Sequence, residues 1–273
     1  MSVSRSRRIA IVTDAWLPQT NGVVTTLRRT IECLVALGHS VLPVTPEGLR
    51  TLPCPTYPEI RLSLFARRAV ARALERFQPD SVHIATEAPL GFAARSILAA
   101  HGQRFTTSYH TQFPQYLRAR YPVPTAWSYA ALRWFHGAAG RTMFNTPRVR
   151  DELAAQGFRN LVLWGRGVDT ELFAPGPKDF LDLPRPVMAY AGRVAVEKSV
   201  EDFLALQLPG TKLVIGDGPA LADLRARYPQ AVFVGYRHGD DLARHLAAAA
   251  YPVTGPRGCR RGRRHRRAVA PMR

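Results

Sequence analysis

Two basic side chains follow a short apolar stretch in the segment AYAGRVAVEK, at residues 189 to 198. Arg193 comes directly after a glycine, and Lys198 lies five residues further along the chain. At the carboxyl end of a parallel strand, a guanidinium and an ammonium group would neutralise the charge of a diphosphate. The segment therefore predicts a binding site for a nucleotide sugar. The alternative is a strand that ends in a solvated basic turn.

Further candidate residues follow other apolar stretches. Asn21 and Gly22 precede the first long helical pattern, where the missing Cβ of glycine lets backbone N–H groups approach a phosphate. His110 follows FTTSY, Glu87 follows SVHIAT, and Asp14 follows the first apolar stretch. These positions predict polar side chains at the carboxyl edge of one sheet. The alternatives are an ordinary strand-to-helix turn at Gly22 and a structural role for the histidine.

Two glycine turns follow later apolar stretches. Gly216 and Gly218 lie in VIGDGP, and Gly235 and Arg237 follow AVFV. Apolar stretches that alternate with helical patterns in this way are typical of parallel βαβ units. The patterns predict helices and strands for the first half at 8–13, 22–37, 41–47, 66–77, 81–86, 91–101 and 125–139.

The same alternation predicts two domains. Residues 166 to 185 are rich in Pro, Gly and Asp and have the composition of a linker. We therefore predict a first domain at residues 1 to 165 and a partial second domain at residues 186 to 256. The remaining residues, 257 to 273, form an Arg-rich tail that is predicted to be disordered.

Charge is distributed unevenly along the 273 residues, whose net charge is +18. The tail contains eight arginines and no acidic residue, so the preceding 256 residues carry 30 basic and 20 acidic side chains. No apolar stretch reaches the roughly 18 to 20 residues of a membrane helix, and the three cysteines lack metal-ligand spacing. Composition thus argues against a membrane span, a disulfide framework and a zinc site. The charge excess suits either anionic substrates and an anionic membrane surface or a generally basic background.

Five segments together resemble the retaining GT-B glycosyltransferases of family 4, especially the branch that forms mannosides and glycolipids. They are DAWLPQTNGVVTTLRRT, SYHTQFPQYLRARY, WGRGVDTELFAP, AYAGRVAVEK and VIGDGP, in the order and at about the spacing of the family. The resemblance implies an α/β fold of GT-B type, with two Rossmann-like, doubly wound domains. It also implies a nucleotide-sugar donor, a lipid or saccharide acceptor, and neither a cofactor nor an obligatory metal.

The resemblance assigns roles to the candidate residues. It places His110 beside the donor sugar, where it stabilises developing positive charge, and Gly22 close to the donor phosphate. Arg193 and Lys198 match the diphosphate-binding pair. Asp14, Asn21 and Glu87 border the acceptor or the sugar. The turn at Gly235 and Arg237 offers main-chain contacts to the nucleotide base. Because main-chain contacts leave little trace in the sequence, the donor can be either GDP-mannose or a UDP-sugar, and mannose is the favoured sugar.

The resemblance fails near the end of the chain. The family has two glutamates separated by seven residues, one near the donor sugar and one at the ribose, and neither is found after Gly239. A deletion followed by a frame shift accounts for this better than an arginine-rich nucleic-acid arm. We therefore expect a glycosyltransferase that is C-terminally truncated, located in the cytoplasm and peripheral at the membrane. The alternatives are a non-catalytic remnant, a nucleic-acid-binding protein and a GT-B epimerase.

Overall fold

A computed structural model describes residues 6–19, 21–54, 57–110, 113–120 and 123–253. Contacts between Cα atoms divide the chain into two compact units, Met1–Gly167 and Val168–Arg273. The division falls two residues after the predicted end of the first domain. Residues 164 to 186, all of which the structure describes, form no helix or strand. The Arg-rich tail lies outside the described residues.

The first unit contains a six-stranded parallel sheet with the strand order β2-β1-β5-β6-β7-β8 and a separate antiparallel pair, β3 and β4. Its strands are β1 (Arg8–Val12), β2 (Ser40–Val44), β3 (Thr51–Cys54), β4 (Tyr57–Ser63), β5 (Ser81–Ile84), β6 (Phe105–Ser108), β7 (Arg141–Phe144) and β8 (Leu161–Leu163). Its helices are α1 (Gly22–Ala36), α2 (Ala66–Phe77), α3 (Pro89–Ala100), α4 (Phe113–Arg120), α5 (Thr125–Gly137) and α6 (Pro147–Ala155).

Alternation along β1 explains how this sheet packs. Successive residues of a strand point to opposite faces. Ala10 and Val12 therefore join a buried cluster that includes residues of α2 and α3, whereas Ile11 packs with Leu27 of α1. Because helices cover both faces at β1, the strand is apolar at every position after Arg8. This packing fixes the carboxyl end of β1, where Asp14 follows.

The second unit contains a four-stranded parallel sheet with the order β11-β10-β9-β12. Its core contains Tyr190, Phe203 and Leu224 on one face, and Ala189 and Leu213 on the other. The strands are β9 (Val187–Ala191), β10 (Thr211–Ile215), β11 (Val232–Gly235) and β12 (Tyr251–Val253). The helices are α7 (Val200–Leu204), α8 (Leu221–Arg227) and α9 (Gly239–Ala248), and a short 3-10 helix occupies Val196–Lys198.

The predicted α/β class is confirmed, and several element bounds differ from the prediction. Strand β2 ends at Val44 rather than at residue 47, because a turn begins at Pro46. The carbonyl of Pro46 accepts a hydrogen bond from the amide of Leu49. The sequence patterns did not indicate β3, β4, α4, α6 or β8. These elements are short or lie at an edge, where periodicity gives a weak signal. No helix among the described residues is long and apolar enough to span a membrane.

Candidate functional site

The loop after β1 leads into α1 through an N-cap. The side-chain oxygen of Asn21 accepts hydrogen bonds from the amides of Val23 and Val24 at 2.9 and 3.1 Å. Asn21 Nδ2 donates to the side chain of Gln19 at 3.2 Å. Gly22 is the first helical residue. Asn21 therefore satisfies amides at the start of the helix, which is the usual role of an N-cap asparagine.

Asp14 is buried, with 2% of its surface exposed. Its carboxylate accepts hydrogen bonds from the amides of Leu90 and Gly91, at 3.1 and 3.3 Å, and from the Thr86 hydroxyl at 3.2 Å. It thus caps α3 from a distant part of the chain. Burial raises the pKa of Asp14 to about 6, although the three hydrogen bonds act in the opposite direction. The predicted rim residue is therefore directed at a helix terminus in this structure.

Glu87 is held by a buried histidine that the sequence analysis did not single out. Glu87 Oε1 lies 3.0 Å from Nε2 of His136, whose side chain is 1% exposed. The other ring nitrogen, Nδ1, lies 2.9 Å from the hydroxyl of Thr107. That hydroxyl in turn lies 3.2 Å from the hydroxyl of Thr142. The polar chain fixes one carboxylate oxygen of Glu87 just beyond the end of β5.

His110 lies two residues after β6, as the sequence predicts. Its ring centroid is 5.6 Å from that of Trp164. Its Nε2 atom is buried and has no hydrogen-bond partner among the described residues. The pKa of His110 is lowered to about 4, mainly by burial and also by the charge of Arg166, whereas the charge of Glu87 acts in the opposite direction. The imidazole is therefore neutral at neutral pH, with one buried nitrogen left for a ligand.

Arg166 is a second residue that the sequence analysis did not identify as part of the site. It follows β8 in the segment WGRGVD, and its Nη1 atom lies 3.5 Å from the position that a Cβ on Gly22 would take. It also lines a small pocket together with His110 and Trp164. The sequence does contain a feature that could have identified Arg166, namely a basic residue between two glycines just after the last strand of the first unit. The structure thus brings Gly22, His110 and Arg166 together.

In the second unit, the turns after β9 and β10 are in close contact. A Cβ on Gly216 would lie 1.9 Å from the carbonyl oxygen of Gly192, and one on Gly218 would lie 2.3 Å from that of Val194. The amide of Val194 donates to the Asp217 carbonyl at 2.8 Å. Both glycines are therefore required by this packing, whether or not the turns contact a ligand.

The predicted cations lie on the first of these turns. The carbonyl of Arg193 accepts a hydrogen bond from the Tyr190 hydroxyl at 3.0 Å, which fixes the main chain at the strand end. Lys198 ends the 3-10 helix, is exposed, and precedes Ser199 with a φ of 50°. Both residues thus follow β9 on a turn that is tied to its neighbour. Their predicted contact with a diphosphate stays a prediction.

The third turn of this unit carries Gly235 and Arg237. The amide of Gly216 donates to the Gly235 carbonyl at 2.8 Å, and the Tyr236 hydroxyl donates to the Asp217 carbonyl at 3.1 Å. Arg237 forms an ion pair with Asp241 at 3.2 Å. The structure therefore brings the six predicted residues of this unit to the carboxyl ends of three adjacent strands. In doubly wound sheets, this edge is where ligands bind.

The described residues contain no group of three or more His, Cys, Asp or Glu side chains that could hold a metal ion. The cationic candidates are Arg166 in the first unit and Arg193 and Lys198 in the second. The arrangement offers cations and main-chain amides at strand ends, which suits a phosphorylated ligand.

The fold and these strand-end sites define an α/β protein of the GT-B type. The structure is similar to that of a sucrose-phosphate synthase from Thermosynechococcus elongatus, with a TM-score of 0.70 and 17% identity over 90% of this chain and 74% of that one. At 17% sequence identity, this structural similarity shows that the two proteins share a fold and nothing beyond that. The predicted GT-B fold class is thereby confirmed.

The chain belongs to Glycosyltransferase Family 4, whose model matches residues 20–172. It is 32% identical to a GDP-mannose-dependent alpha-mannosyltransferase of Mycobacterium tuberculosis, over 88% of this chain and 71% of that protein. It is 31% identical to a sulfoquinovosyl transferase of Arabidopsis thaliana, over 90% of this chain and 54% of that protein. The family predicted from the five segments is confirmed.

Proposed function

We propose that the protein is a retaining glycosyltransferase that moves a hexose, with mannose favoured, from a nucleotide sugar to a lipid or saccharide acceptor. The observation that carries this proposal is the 32% identity to a GDP-mannose-dependent mannosyltransferase over 88% of the chain. The basic residues Arg193 and Lys198, which follow β9, and the glycine turn at Gly216 and Gly218, which follows β10, support it. GDP-mannose is the favoured donor, and a UDP-sugar is the alternative.

His110 has properties that suit the reacting centre. Positive charge develops on the sugar as the glycosidic bond to the diphosphate breaks. A protonated imidazole would repel that charge, whereas the lowered pKa of His110 keeps its ring neutral at neutral pH. Its buried Nε2 atom has no partner among the described residues and is available for a sugar hydroxyl. We assign His110 this role, and Glu87 a contact to the sugar or the acceptor.

The leaving diphosphate needs charge stabilisation. Arg193 and Lys198, on the turn after β9, supply two positive charges in this proposal, and the tight turn at Gly216 and Gly218 supplies main-chain groups. Such contacts stabilise a departing diphosphate in the way that a metal ion would. The proposed reaction therefore requires neither a cofactor nor an obligatory metal.

A second candidate function is binding without turnover. It is favoured by the residues after Gly239, which lack the paired glutamates that the family resemblance implies. A missing catalytic group commonly costs about a hundredfold or more in rate. In this alternative the protein binds the nucleotide or the acceptor and transfers sugar very slowly.

A transfer assay separates the two candidates. The 273-residue chain is incubated with radiolabelled GDP-mannose or UDP-hexoses and with diacylglycerol-type lipids or oligosaccharides as acceptors. Turnover that His110→Ala abolishes, with retention of the anomeric configuration, supports the transferase. Nucleotide binding without turnover supports the second candidate. The absence of both contradicts the proposed function.

A lipid acceptor would bring the protein to a membrane surface. We propose peripheral contact with anionic lipids at the cytoplasmic face, because the chain carries 38 basic and 20 acidic side chains. Flotation with vesicles that contain or lack phosphatidylglycerol tests this contact. Binding that is equal on neutral and anionic vesicles would contradict it. No specific nucleic-acid partner is proposed.

A further inference from the structure

Helix α5 is apolar on two faces, of which only one packs into the core. The buried face contributes Leu132 and Phe135 to two hydrophobic clusters. The exposed face carries a second apolar stripe, formed by Trp127, Ala130, Ala131 and Trp134. These positions have the i, i+3, i+4, i+7 spacing that places side chains on one side of a helix. Since a surface helix needs one apolar stripe to pack on its core, the second stripe indicates a surface that meets another partner.

The stripe continues onto the neighbouring helix α3. The ring of Trp134 stacks on that of Phe92, with centroids 6.3 Å apart and 25° between the ring planes. The guanidinium of Arg95 lies 3.5 Å from the centroid of Trp134 and donates to the Trp134 carbonyl at 2.8 Å. Phe92, Trp127 and Trp134 are 43%, 72% and 58% exposed, and we call them the aromatic patch. Two of its three rings are thus held in place by contacts between α3 and α5.

Charge near the aromatic patch has a single sign. Residues 88 to 150, which include α3, α4 and α5, contain eight arginines and no Asp, Glu or Lys. Arg133, next to Trp134 on α5, is exposed. A basic segment without acidic residues is attracted to an extended anionic surface. Tryptophan is enriched where a protein meets the membrane–water interface, and arginine can keep its charged head in the polar layer there.

A second copy of the chain suits this surface less well. In a symmetric dimer the same patch would be contributed by both copies. Arg95 and Arg133 of one copy would then lie close to those of the other, and like charges repel across an interface. An anionic bilayer instead offers a phosphate to each guanidinium and an apolar layer to each indole. The chemistry of the patch therefore matches a lipid surface.

We propose that the aromatic patch inserts into the interface of an anionic lipid bilayer and holds the first unit against it. This inference rests on the proposed function and locates its membrane contact on α3 and α5. Phe92 is the fourth residue of α3, and this helix begins two residues after Glu87. A bilayer at the patch would lie close to the loop with Glu87, to which the proposed function assigns a contact to the sugar or the acceptor.

Binding of the full chain to vesicles of phosphatidylcholine and phosphatidylglycerol tests the proposal. Trp127→Ala should weaken binding about tenfold, because burial of an aromatic side chain contributes at least that factor. Its unfolding temperature should hardly change, since Trp127 is mostly exposed. Leu37→Ala is the matched control, because Leu37 is 71% exposed and ends α1, which packs on the opposite face of the sheet from α3. This control should bind as the wild type does.

A charge variant tests the anionic character of the lipid. Arg133→Gln should weaken binding to the anionic vesicles roughly fivefold and leave binding to pure phosphatidylcholine unchanged. Arg28→Gln is the control, because Arg28 is exposed on α1, on the opposite face of the sheet. It should have little effect, since charges on that side are screened from the bilayer. Equal losses for the two arginine variants would contradict the proposed orientation.

Quenching of tryptophan fluorescence by lipids brominated near the headgroup reports insertion. The wild type should be quenched, and the double variant Trp127→Phe, Trp134→Phe should not, since Trp16 and Trp164 pack within the first unit. Equal quenching in both proteins, or vesicle binding that Trp127→Ala leaves unchanged, would overturn the proposal. A dimer that Trp127→Ala dissociates, with no effect on vesicle binding, would also overturn it and assign the patch to a second copy.

Transfer assays distinguish a failure of this inference from a failure of the proposed function. Trp127→Ala should lower transfer to a lipid acceptor in vesicles about tenfold and leave transfer to a soluble saccharide unchanged. Equal losses with both acceptors would contradict a role of the patch in docking. A chain that transfers no sugar, yet binds vesicles through the patch, would contradict the proposed function and support the docking surface.

Discussion

Nε2 of His136 lies 3.0 Å from Oε1 of Glu87, and the histidine side chain is 1% exposed. Nδ1 of the same ring lies 2.9 Å from the hydroxyl of Thr107, so both ring nitrogens have partners. Glu87 itself is 17% exposed. A residue of α5 thus connects the loop after β5 to the interior of the sheet and holds a partly exposed carboxylate in one orientation.

We predict that His136→Ala destabilises the first unit by about 2–4 kcal/mol, because it leaves a cavity and removes two buried hydrogen bonds. Glu87→Gln should cost about 1 kcal/mol, since an amide can still bond to the imidazole. Urea unfolding followed by tryptophan fluorescence measures both, because all four tryptophans lie before residue 168. Equal costs for the two variants would contradict the assignment of His136 as the buried partner.

A second prediction concerns Asp14, whose pKa is raised from its ordinary value of 3.8 to about 6. Between these values the folded state holds the proton more tightly than the unfolded state does. Protonated Asp14 therefore contributes to the free energy of unfolding in full at low pH. This contribution falls by about 3 kcal/mol in all as pH rises from about 4 to about 6.

Asp14→Asn should remove this pH dependence. The lowered pKa values of His83, about 3, and His110, about 4, act with the opposite sign, because the unfolded state takes up protons first as pH falls. Those contributions cancel when the variant is compared with the wild type at each pH. A difference in unfolding free energy that stays constant from pH 4 to 7 would show that Asp14 does not titrate in this range.

The third prediction concerns the close contact between two turns of the second unit. Gly216→Ala and Gly218→Ala should each cost about 2–3 kcal/mol or more, because the added Cβ meets a main-chain oxygen and φ is 147° or 157°. Gly235→Ala is the control. Its φ is 72° and nothing lies within 4 Å of the added Cβ, so only backbone strain of about 1–2 kcal/mol is expected.

Hydrogen exchange of β9 and β10 should report this difference. Exchange should be faster in the Gly216 and Gly218 variants than in the Gly235 variant. The tryptophan transition of the first unit provides an internal reference in each sample. Equal exchange in all three variants would mean that the clash is relieved by a local shift.

The fourth prediction concerns the nucleotide. Arg193→Ala and Lys198→Ala should each weaken binding of GDP or UDP by about 1.5–3 kcal/mol, because each removes a charge-assisted contact to the diphosphate. Isothermal titration calorimetry measures the affinities. Lys178→Ala, on a linker residue of the same unit, should have no effect. Equal affinities in the wild type and both variants would exclude these cations from the nucleotide site.

The sequence determined the class of this protein. Alternation of apolar stretches with helical patterns was enough to predict two α/β units, because period and spacing are local properties. Five segments, among them those around His110 and Arg193, together predicted the family through their resemblance to it. Similarity to the mycobacterial mannosyltransferase extends over most of the same residues.

Only the tertiary structure decided what individual residues touch. Asp14 and Leu90 are 76 positions apart, and Glu87 and His136 are 49 apart, so no local pattern could pair them. Arg166 became a candidate only when its guanidinium was found beside Gly22. Such contacts depend on how strands are ordered in the sheet, and long-range packing rather than local periodicity fixes that order.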